Sequence, residues 1–484
     1  MKKRFIIAAL MLLIGGAATA QHSETNNLFY HTFRTPQSGD LNAAFFPNKN
    51  TVYLRLPSVG LQFGSPVSLS DIVRNQGDTL TVIDINKAFE ALRGDNRIHF
   101  DADINLFGFG FKAHNTFFTF NSRLVTIFNL GIPVSVIDAL SKGNVDAAGN
   151  AVSEVNILNG DLLNTTMYGE LAIGGGHYFE PIGLTVGARA KYLWGILNIQ
   201  SDNTRAVINT SDNFENINVD LYYQFQASSI ASFDTTGKIT SSVGEMLDIF
   251  GGNGGFAFDL GARYDMGPFT FSFAINDLSA GIHWNKNVND ITPRDGHMTL
   301  TFSGEDASAM LHGGKLNTDS LVAYYKSLFA GIRPSTNATE GYWYSIPTKI
   351  NLGASYNFAK MFRAGLLFHG QFDRGLLSKG NRFKHDLGNN ITNTFRFNTT
   401  LSFGANLFNW LEVTAGNSFV YDGSHFDAIN PGVGLVFTPA TVLQIYLIGD
   451  YVSSLYLVKA ESFSLKFGIN LLFGNGGGNR ILQN

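Results

Sequence analysis

An alternation of polar and apolar side chains along the whole 484-residue chain constrains its fold more than any other feature. The stretch SLKFGINLLF, residues 464–473, places serine, lysine, glycine and asparagine at every second position, with leucine, phenylalanine and isoleucine between them. The same two-residue period returns in residues 99–111, 255–264 and 394–404. Strand side chains alternate between two faces, whereas a helix repeats about every 3.6 residues, so the pattern predicts β-strands with one apolar face.

The connections between these strands alternate between short turns and long loops. Short turns are predicted at 114–115, 180–183, 266–268, 357–361, 409–410 and 439–440. With all short turns on one side, the strands lie at about 51–63, 98–113, 116–128, 166–178, 184–200, 254–265, 269–285, 346–357, 362–374, 391–407, 410–421, 430–438, 441–451 and 461–473. Their even number brings both chain ends to the short-turn side, as in bacterial outer-membrane barrels. We therefore predict an all-β fold, a transmembrane antiparallel β-barrel of about 14 strands.

Residues 205–229 contain a further strand pattern, INVDLYYQF. We assign it to a hairpin that extends a long loop, because counting it as a wall strand would put the turn at 266–268 on the wrong side. Four long loops carry amphipathic helix patterns, at 84–94, 133–143, 241–252 and 318–331, most of them ended by glycine.

The first residues predict a secretory signal peptide, since three basic residues precede an apolar run that ends in Ala18-Thr19-Ala20. Cleavage after Ala20 and the extent of the predicted strands together divide the chain into four parts. They are a signal peptide (1–20), an N-terminal periplasmic or plug segment (21–50), the barrel with its helix-containing loops (51–473) and a periplasmic tail (474–484). The chain has no cysteine, so neither disulfides nor thiolate metal sites can form.

Alternation alone does not decide whether the apolar face points inward or outward, because a soluble barrel or sandwich has the same period. Charged residues make up only 15% of the chain, against about 25% in soluble domains. The polar faces also carry mixed charges, which a wide lumen can keep hydrated or paired and a dry core could not. The candidate lumen-lining residues are Asp103, Arg123, Glu170, Arg189, Lys191, Asp259, Arg263, Lys349, Arg363, Asp373, Arg396 and Lys466. Their near balance of charge favours pairing across strands over a substrate path, which remains the alternative.

The tryptophans give a second indication of a lipid-facing exterior. All four fall at or just beyond predicted strand ends, where an aromatic girdle contacts the membrane interface: Trp194, Trp284, Trp343 and Trp410. An outer-membrane location, after export, follows from these features together.

The last strand resembles the C-terminal signal by which outer-membrane proteins are recognised for assembly. That signal has a polar residue, a glycine two positions later and then apolar and aromatic positions, here Lys466, Gly468, Leu471 and Phe473. The chain differs from it by continuing beyond Phe473 through GNGGGNRILQN. The resemblance implies recognition by the barrel-assembly machinery and contact with outer-membrane lipid.

Short signatures along the mature chain, among them YLWGILNI, GFAFDLGARY and IPTKINLGASYN, resemble an uncharacterised family of bacterial outer-membrane barrels, a domain of unknown function. A more distant resemblance is to the fatty-acid-transporter type of barrel, which begins with a plug bearing an Asn-Pro-Ala motif. Asn42-Ala43-Ala44 is similar to that motif, with Ala43 in place of the proline. Barrel components of the type IX secretion apparatus have similar N-terminal signatures.

Two functions fit this sequence. One is a transporter or channel for a small hydrophobic ligand, with residues 21–50 as a plug and the loop helices as an apolar entrance. The alternative is a structural or assembly component that binds a periplasmic protein partner. Motifs of hydrolases, metalloproteases and nucleotide-binding loops are absent, so we predict no enzyme, catalytic residue, cofactor or metal site. The net charge of −4 gives no basic face for nucleic acid.

Overall fold

The computed structural model describes residues 27–47, 51–65, 73–75, 81–83, 97–131, 154–159, 163–210, 216–230, 252–293, 296–303, 311–312, 315–316, 334–358, 361–372, 376–377, 395–407, 410–421, 426–439, 442–450 and 462–474. Several predictions concern residues outside these ranges: the signal peptide, Asp373 and the four helix patterns of the long loops, of which the structure describes only Gly252. Within them, no helix is long and apolar enough to span a membrane.

In the part of the chain that the structure describes, two short helices precede the strands, α1 (Asn27–Tyr30) and α2 (Ser38–Leu41), and a 3₁₀ turn covers Glu180–Ile182. The strands are β1 (Val52–Arg55), β2 (Ser58–Gly64), β3 (Val73–Asn75), β4 (Thr81–Ile83), β5 (Arg97–Ala113), β6 (Thr116–Gly131), β7 (Glu154–Asn159), β8 (Leu163–Phe179), β9 (Leu184–Thr210), β10 (Asn216–Ser229), β11 (Gly254–Met266), β12 (Phe269–Trp284), β13 (Asn289–Pro293), β14 (Met298–Ser303), β15 (Leu311–His312), β16 (Lys315–Leu316), β17 (Pro334–Ala338), β18 (Tyr342–Ser345), β19 (Lys349–Phe358), β20 (Phe362–Phe372), β21 (Phe395–Leu407), β22 (Leu411–Tyr421), β23 (Phe426–Phe437), β24 (Leu443–Asp450) and β25 (Ser462–Phe473).

These strands form a closed antiparallel barrel of 14 wall strands, which confirms the predicted fold class. β1 and β2 together make the first wall strand and β18 and β19 the eighth; β5, β6, β8, β9, β11, β12 and β20 to β25 make the others. The first wall strand is interrupted at Pro57, since proline has no N–H to donate to a ladder. The last strand closes the barrel on the first, with Leu471 opposite Leu54 and Phe467 opposite Val59.

Short turns form one end of the barrel, as the sequence predicts. Backbone hydrogen bonds connect each of these turns to its neighbour, for example from Tyr178 to Asn115, from Asp265 to Gly183 and from Asn357 to Pro268. Gly183 has φ +70°, and a Cβ there would lie 2.5 Å from the carbonyl oxygen of Asp265, so this turn requires glycine. We call this rim the short-turn end and the opposite rim the long-loop end.

The alternation of the sequence separates the exterior of the barrel from its lumen. On β25, Leu465 and Phe467 are 43% and 48% exposed on the outer face, whereas Lys466 and Asn470 are buried within the lumen. The outer faces of the neighbouring wall strands are likewise apolar, since a strand that contacts lipid must present apolar side chains at alternate positions.

A sheet extends the wall beyond the long-loop end. β9 pairs with β11 through residues 184–194 and with β10 through residues 197–210, and β10 then pairs with β13 and β14. The hairpin predicted over 205–229 is therefore confirmed as an extension rather than a wall strand.

Candidate functional site

Residues 27–47, here called the plug, lie inside the barrel and are almost entirely buried. Amide side chains attach the plug to well-separated parts of the wall. The Nδ2 of Asn27 donates to Oδ1 of Asn398 at 2.8 Å, and the amides of Gln37 and Asn470 exchange two hydrogen bonds of 2.8 and 2.9 Å. The chain enters near the long-loop end of β21 and leaves toward the short-turn end, so the plug crosses much of the lumen.

The turn at Asn42-Ala43-Ala44 is in close contact with the wall. The Nδ2 of Asn42 donates to the carbonyl oxygens of Ala262 and Phe273 at 3.4 and 3.2 Å, while its Oδ1 accepts from the N–H of Ala44 at 2.9 Å. A Cβ on Gly261 would lie 2.1 Å from that Oδ1, and one on Gly187 would lie 2.1 Å from the carbonyl oxygen of Ala43. Two inward-facing wall glycines therefore make room for this turn. Sequence reasoning did not predict this contact.

Aromatic side chains fill the short-turn side of the plug. Phe33 packs edge-on against Phe45, with ring centroids 5.1 Å apart. The guanidinium groups of Arg263 and Arg363 lie 4.5 and 5.4 Å from the centre of the Phe33 ring, within the range of cation–π attraction. Arg363 is in turn paired with Glu412. The plug is thus held by the charges of the wall as well as by its amides.

Asp40 connects the plug to the charged groups of the lumen. The guanidinium of Arg55 donates from Nη1 and Nη2 to the two carboxylate oxygens of Asp40 at 2.7 and 2.6 Å. Arg189 donates to the carbonyl oxygen of Gly39 at 2.5 Å and lies 4.0 Å from the Asp40 carboxylate. It also pairs with Asp259 of the wall at 3.4 Å.

From Asp259 a line of ion pairs continues around the lumen. Lys191 lies 2.9 Å from Asp259, 2.7 Å from Asp277 and 3.8 Å from Glu170. Glu170 accepts a hydrogen bond from Arg123 at 2.7 Å. Asp103, 3.8 Å from Arg123, accepts from Lys466 at 2.9 Å. Such buried charges are tolerated because each has an opposite partner, and they join neighbouring wall strands.

The structure places every candidate lumen-lining residue that it describes on the inward face. Most are in the ion pairs above, and Lys349 lies 3.4 Å from Asp277 while Arg263 lies 3.0 Å from Asp265. Arg396 is buried on β21. Sequence reasoning missed Asp40, Arg55, Asp277 and Glu412. Arg55 could have been predicted to face the lumen, because it follows Tyr53 by two positions on β1 and so lies on the same, inward face.

The plug carries ionisable groups that do not belong to membrane-spanning strands. Burial opposes ionisation of Asp40, but the charge and hydrogen bonds of Arg55, with Lys466 and Arg189 nearby, outweigh it and hold the pKa of this carboxyl well below its usual range. Burial, assisted by the charge of Arg363, lowers the pKa of His31 to about 3. Asp40 is therefore ionised and His31 neutral near pH 7.

A cavity of about 120 Å³ lies between the plug and the wall. Phe29, Leu41 and Asp40 line it from the plug, and Ile127 and Tyr168 are among the side chains that line it from the wall. Toward the long-loop end it adjoins a cluster of inward-facing apolar side chains, here called the apolar cluster: Ile127, Tyr168, Leu193, Ala257, Ala280, Ile282, Trp284, Tyr344 and Ile346. In the described ranges, no three His, Cys, Asp or Glu side chains are grouped so that they could bind a metal ion.

The tryptophans do not all face the membrane interface. Trp343 and Trp410 are 38% and 43% exposed, whereas Trp194 is only 8% exposed, because its ring packs over Gly169 on the outer side of the wall. Trp284 is 0% exposed within the apolar cluster, so the expectation of a girdle position is wrong for this residue. Its place at a strand end is as expected, but it shares the inward face with Ile282, and the face of the strand decides what a side chain contacts.

The residues of the expected assembly signal lie on both faces of β25. Leu471 and Phe473 point outward, and Lys466 and Gly468 point into the lumen. A Cβ on Gly468 would lie 2.3 Å from the hydroxyl oxygen of Tyr446 and 2.4 Å from Ser58, so packing alone requires glycine there. Recognition by the assembly machinery stays a prediction.

These features define a class, a β-barrel of the outer-membrane type whose lumen is occupied by its own N-terminal segment. The chain belongs to the family of unknown function DUF5723, whose model matches residues 44–450. This confirms the resemblance to an uncharacterised family. No curated protein matches the sequence.

Several solved barrels are similar in architecture. The toluene transporter TbuX of Ralstonia pickettii is 8% identical, with a TM-score of 0.41 over 91% of this chain and 94% of that one. The toluene transporter TodX of Pseudomonas putida is 10% identical, with a TM-score of 0.39 over 95% of both chains. A FadL homologue of Pseudomonas aeruginosa is 10% identical, with a TM-score of 0.40 over 91% of this chain and 94% of that one. Likeness at this level concerns the fold and carries no functional argument.

Proposed function

We propose that this protein is an outer-membrane channel for a small hydrophobic ligand, exported through its signal peptide and closed at rest by the plug. The observation that carries the proposal is the apolar cluster. The lumen of a water-filled barrel is polar, yet here inward positions near the long-loop end carry Leu193, Ile282 and Ile346. An apolar ligand that enters from the long-loop end gains free energy by contact with such side chains, because it leaves water.

The positions of the cluster, the cavity and the plug support a single path. Ile127 and Tyr168 belong both to the apolar cluster and to the lining of the cavity. On the far side of the cavity stand Phe29 and Leu41 of the plug. A ligand that passes the cluster therefore meets the plug next, and displacement of the plug opens the way to the short-turn end.

Uptake of an apolar fluorescent probe, N-phenyl-1-naphthylamine, by bacteria with an intact lipopolysaccharide layer tests this function. We expect cells that carry the protein to take up the probe several-fold faster than cells that lack it. Ile282→Thr shortens the side chain and puts a hydroxyl into the apolar cluster, so uptake falls. The matched control is Ile275→Thr, on the lipid-facing side of the same strand β12, which leaves the rate unchanged.

Two results would contradict the proposal. One is equal uptake with and without the protein, at matched amounts of folded barrel in the outer membrane. The other is an equal effect of the two isoleucine substitutions. A stoichiometric protein partner co-purifying in mild detergent, together with unchanged uptake, would favour the structural role instead.

A further inference from the structure

We propose that the barrel wall contains a binding site for the carboxylate of a small organic anion, and that Asp40 of the plug occupies this site in the closed protein. The inference rests on the proposed channel, because it names the polar group that a permeating ligand carries. The site itself can be tested by binding, without transport.

Three wall strands provide the donors of this site. Arg55 of β1 donates two hydrogen bonds, one to each oxygen of the Asp40 carboxylate, at 2.7 and 2.6 Å. Asn121 of β6 donates to the Oδ1 of Asp40 at 3.4 Å, and Arg189 of β9 lies 4.0 Å from the same oxygen. The planar fork of arginine matches a carboxylate, so this is the geometry that an exogenous carboxylate would adopt. The donors belong to the wall, and the carboxylate alone belongs to the plug.

A glycine of the wall makes room for two of these donors. Gly108 of β5 faces the same point in the lumen, and a Cβ there would lie 2.9 Å from the Cδ of Arg55 and 2.7 Å from the Oδ1 of Asn121. The missing side chain at Gly108 therefore makes the space in which both groups lie. The strands β1, β5 and β6 thus provide the space for Arg55, while the hydrogen bonds of its guanidinium go to Asp40.

Arg55 takes its counter-charge from the plug, whereas Arg189 and Lys191 have partners in the wall. Arg189 keeps Asp259 as a partner if Asp40 moves away, and Lys191 keeps Asp259 and Asp277. Arg55 is 0% exposed, and within the described part of the chain Asp40 is its ion-pair partner. A buried guanidinium without a counter-charge is strongly unfavourable. Displacement of the plug is thus favoured by an anion that takes the place of Asp40.

The space beside Asp40 suits an anion with a small apolar body. Asp40 borders the cavity of about 120 Å³, whose lining combines charged side chains such as Asp103, Lys191 and Lys466 with the apolar side chains of Phe29, Leu41, Val125 and Ile127. Once the Asp40 side chain moves aside, a carboxylate can reach Arg55 while its apolar part remains against these side chains. A neutral molecule of the same shape gains the apolar contacts but not the ion pair.

Benzoate and its neutral analogue benzyl alcohol test the site, with calorimetric titration of the purified full-length protein in detergent. Asp40→Asn removes the competing carboxylate at nearly constant shape. We expect it to bind benzoate at least ten-fold more tightly than the unmodified protein does, with no change for benzyl alcohol. Adding Arg55→Gln to Asp40→Asn should abolish the gain. The control Asp265→Asn removes the carboxylate beside Arg263, away from the cavity, and should leave benzoate binding unchanged.

Failure of the site can be recognised separately from failure of the channel. Each variant is first checked as a folded barrel by its faster migration in gel electrophoresis before boiling. If Asp40→Asn does not assemble, Asp40→Ala is judged by the same criteria. A folded Asp40 variant that binds benzoate no more tightly than the unmodified protein overturns the inference, as does a gain that survives Arg55→Gln. The uptake of the apolar probe tests the channel independently of these titrations.

Discussion

Asn42 shows how a single side chain attaches the plug to the wall. Its amide reaches the carbonyl oxygens of Ala262 and Phe273 on two neighbouring strands and the hydroxyl of Tyr30 within the plug. Asn42→Ala removes these hydrogen bonds, each worth about 0.5–1.5 kcal/mol, and leaves a small cavity beside the wall. We expect faster hydrogen–deuterium exchange in residues 27–47 and unchanged exchange in β20 to β25, measured by mass spectrometry. Asn357→Ala, which loses a 3.5 Å contact at an exposed turn, is the control; equal exchange in both variants would contradict this role.

Single residues are also where prediction from sequence was least complete. The inward face of a strand follows from its alternation, so the lumenal positions of Asp103, Lys191 and Lys466 could be predicted. The partners of those residues could not, because pairing depends on register between strands far apart in the chain. Trp284 was misplaced because its position at a strand end was considered without its face. Asp40 lies in a segment with no period, so nothing in the sequence pointed to Arg55 as its partner.

At the level of elements, the strands were predictable and the plug helices were not. Period-2 alternation over ten or more residues marks a strand clearly, and the short turns define its ends; 116–128 was predicted and Thr116–Gly131 was found. The helices of the plug are four residues each, too short to show a 3.6-residue period. The plug itself was predicted only through the resemblance at Asn42-Ala43-Ala44.

The shortness of α1 and α2 leads to a prediction for the plug as a separate element. Helices below about 12 residues are marginal in water, so the wall contacts must order this segment. A synthetic peptide of residues 27–47 should therefore show the circular dichroism of an unfolded chain in buffer. A clear helical minimum at neutral pH would mean that the plug is ordered by its own sequence.

For the whole molecule, the ion pairs and the plug have separable effects. Lys191, Glu170, Arg123 and their partners join wall strands to one another and stay paired without the plug. The plug is joined to the wall by the amides, by Asp40 and by the packing of Phe33 and Phe45. Removal of the plug should thus open the lumen without loss of the barrel, because strand pairing and the lumenal ion pairs both persist.

Single-channel conductance in planar lipid bilayers tests this account most directly. The full-length protein is compared with a variant in which residues 27–47 are deleted and export is retained, both first shown to be folded barrels. We predict that the full-length protein is closed for most of the recording and that the deletion variant gives stable open steps of ionic current. Equal, sustained conductance of the two proteins would contradict the central claim that the N-terminal segment closes this barrel.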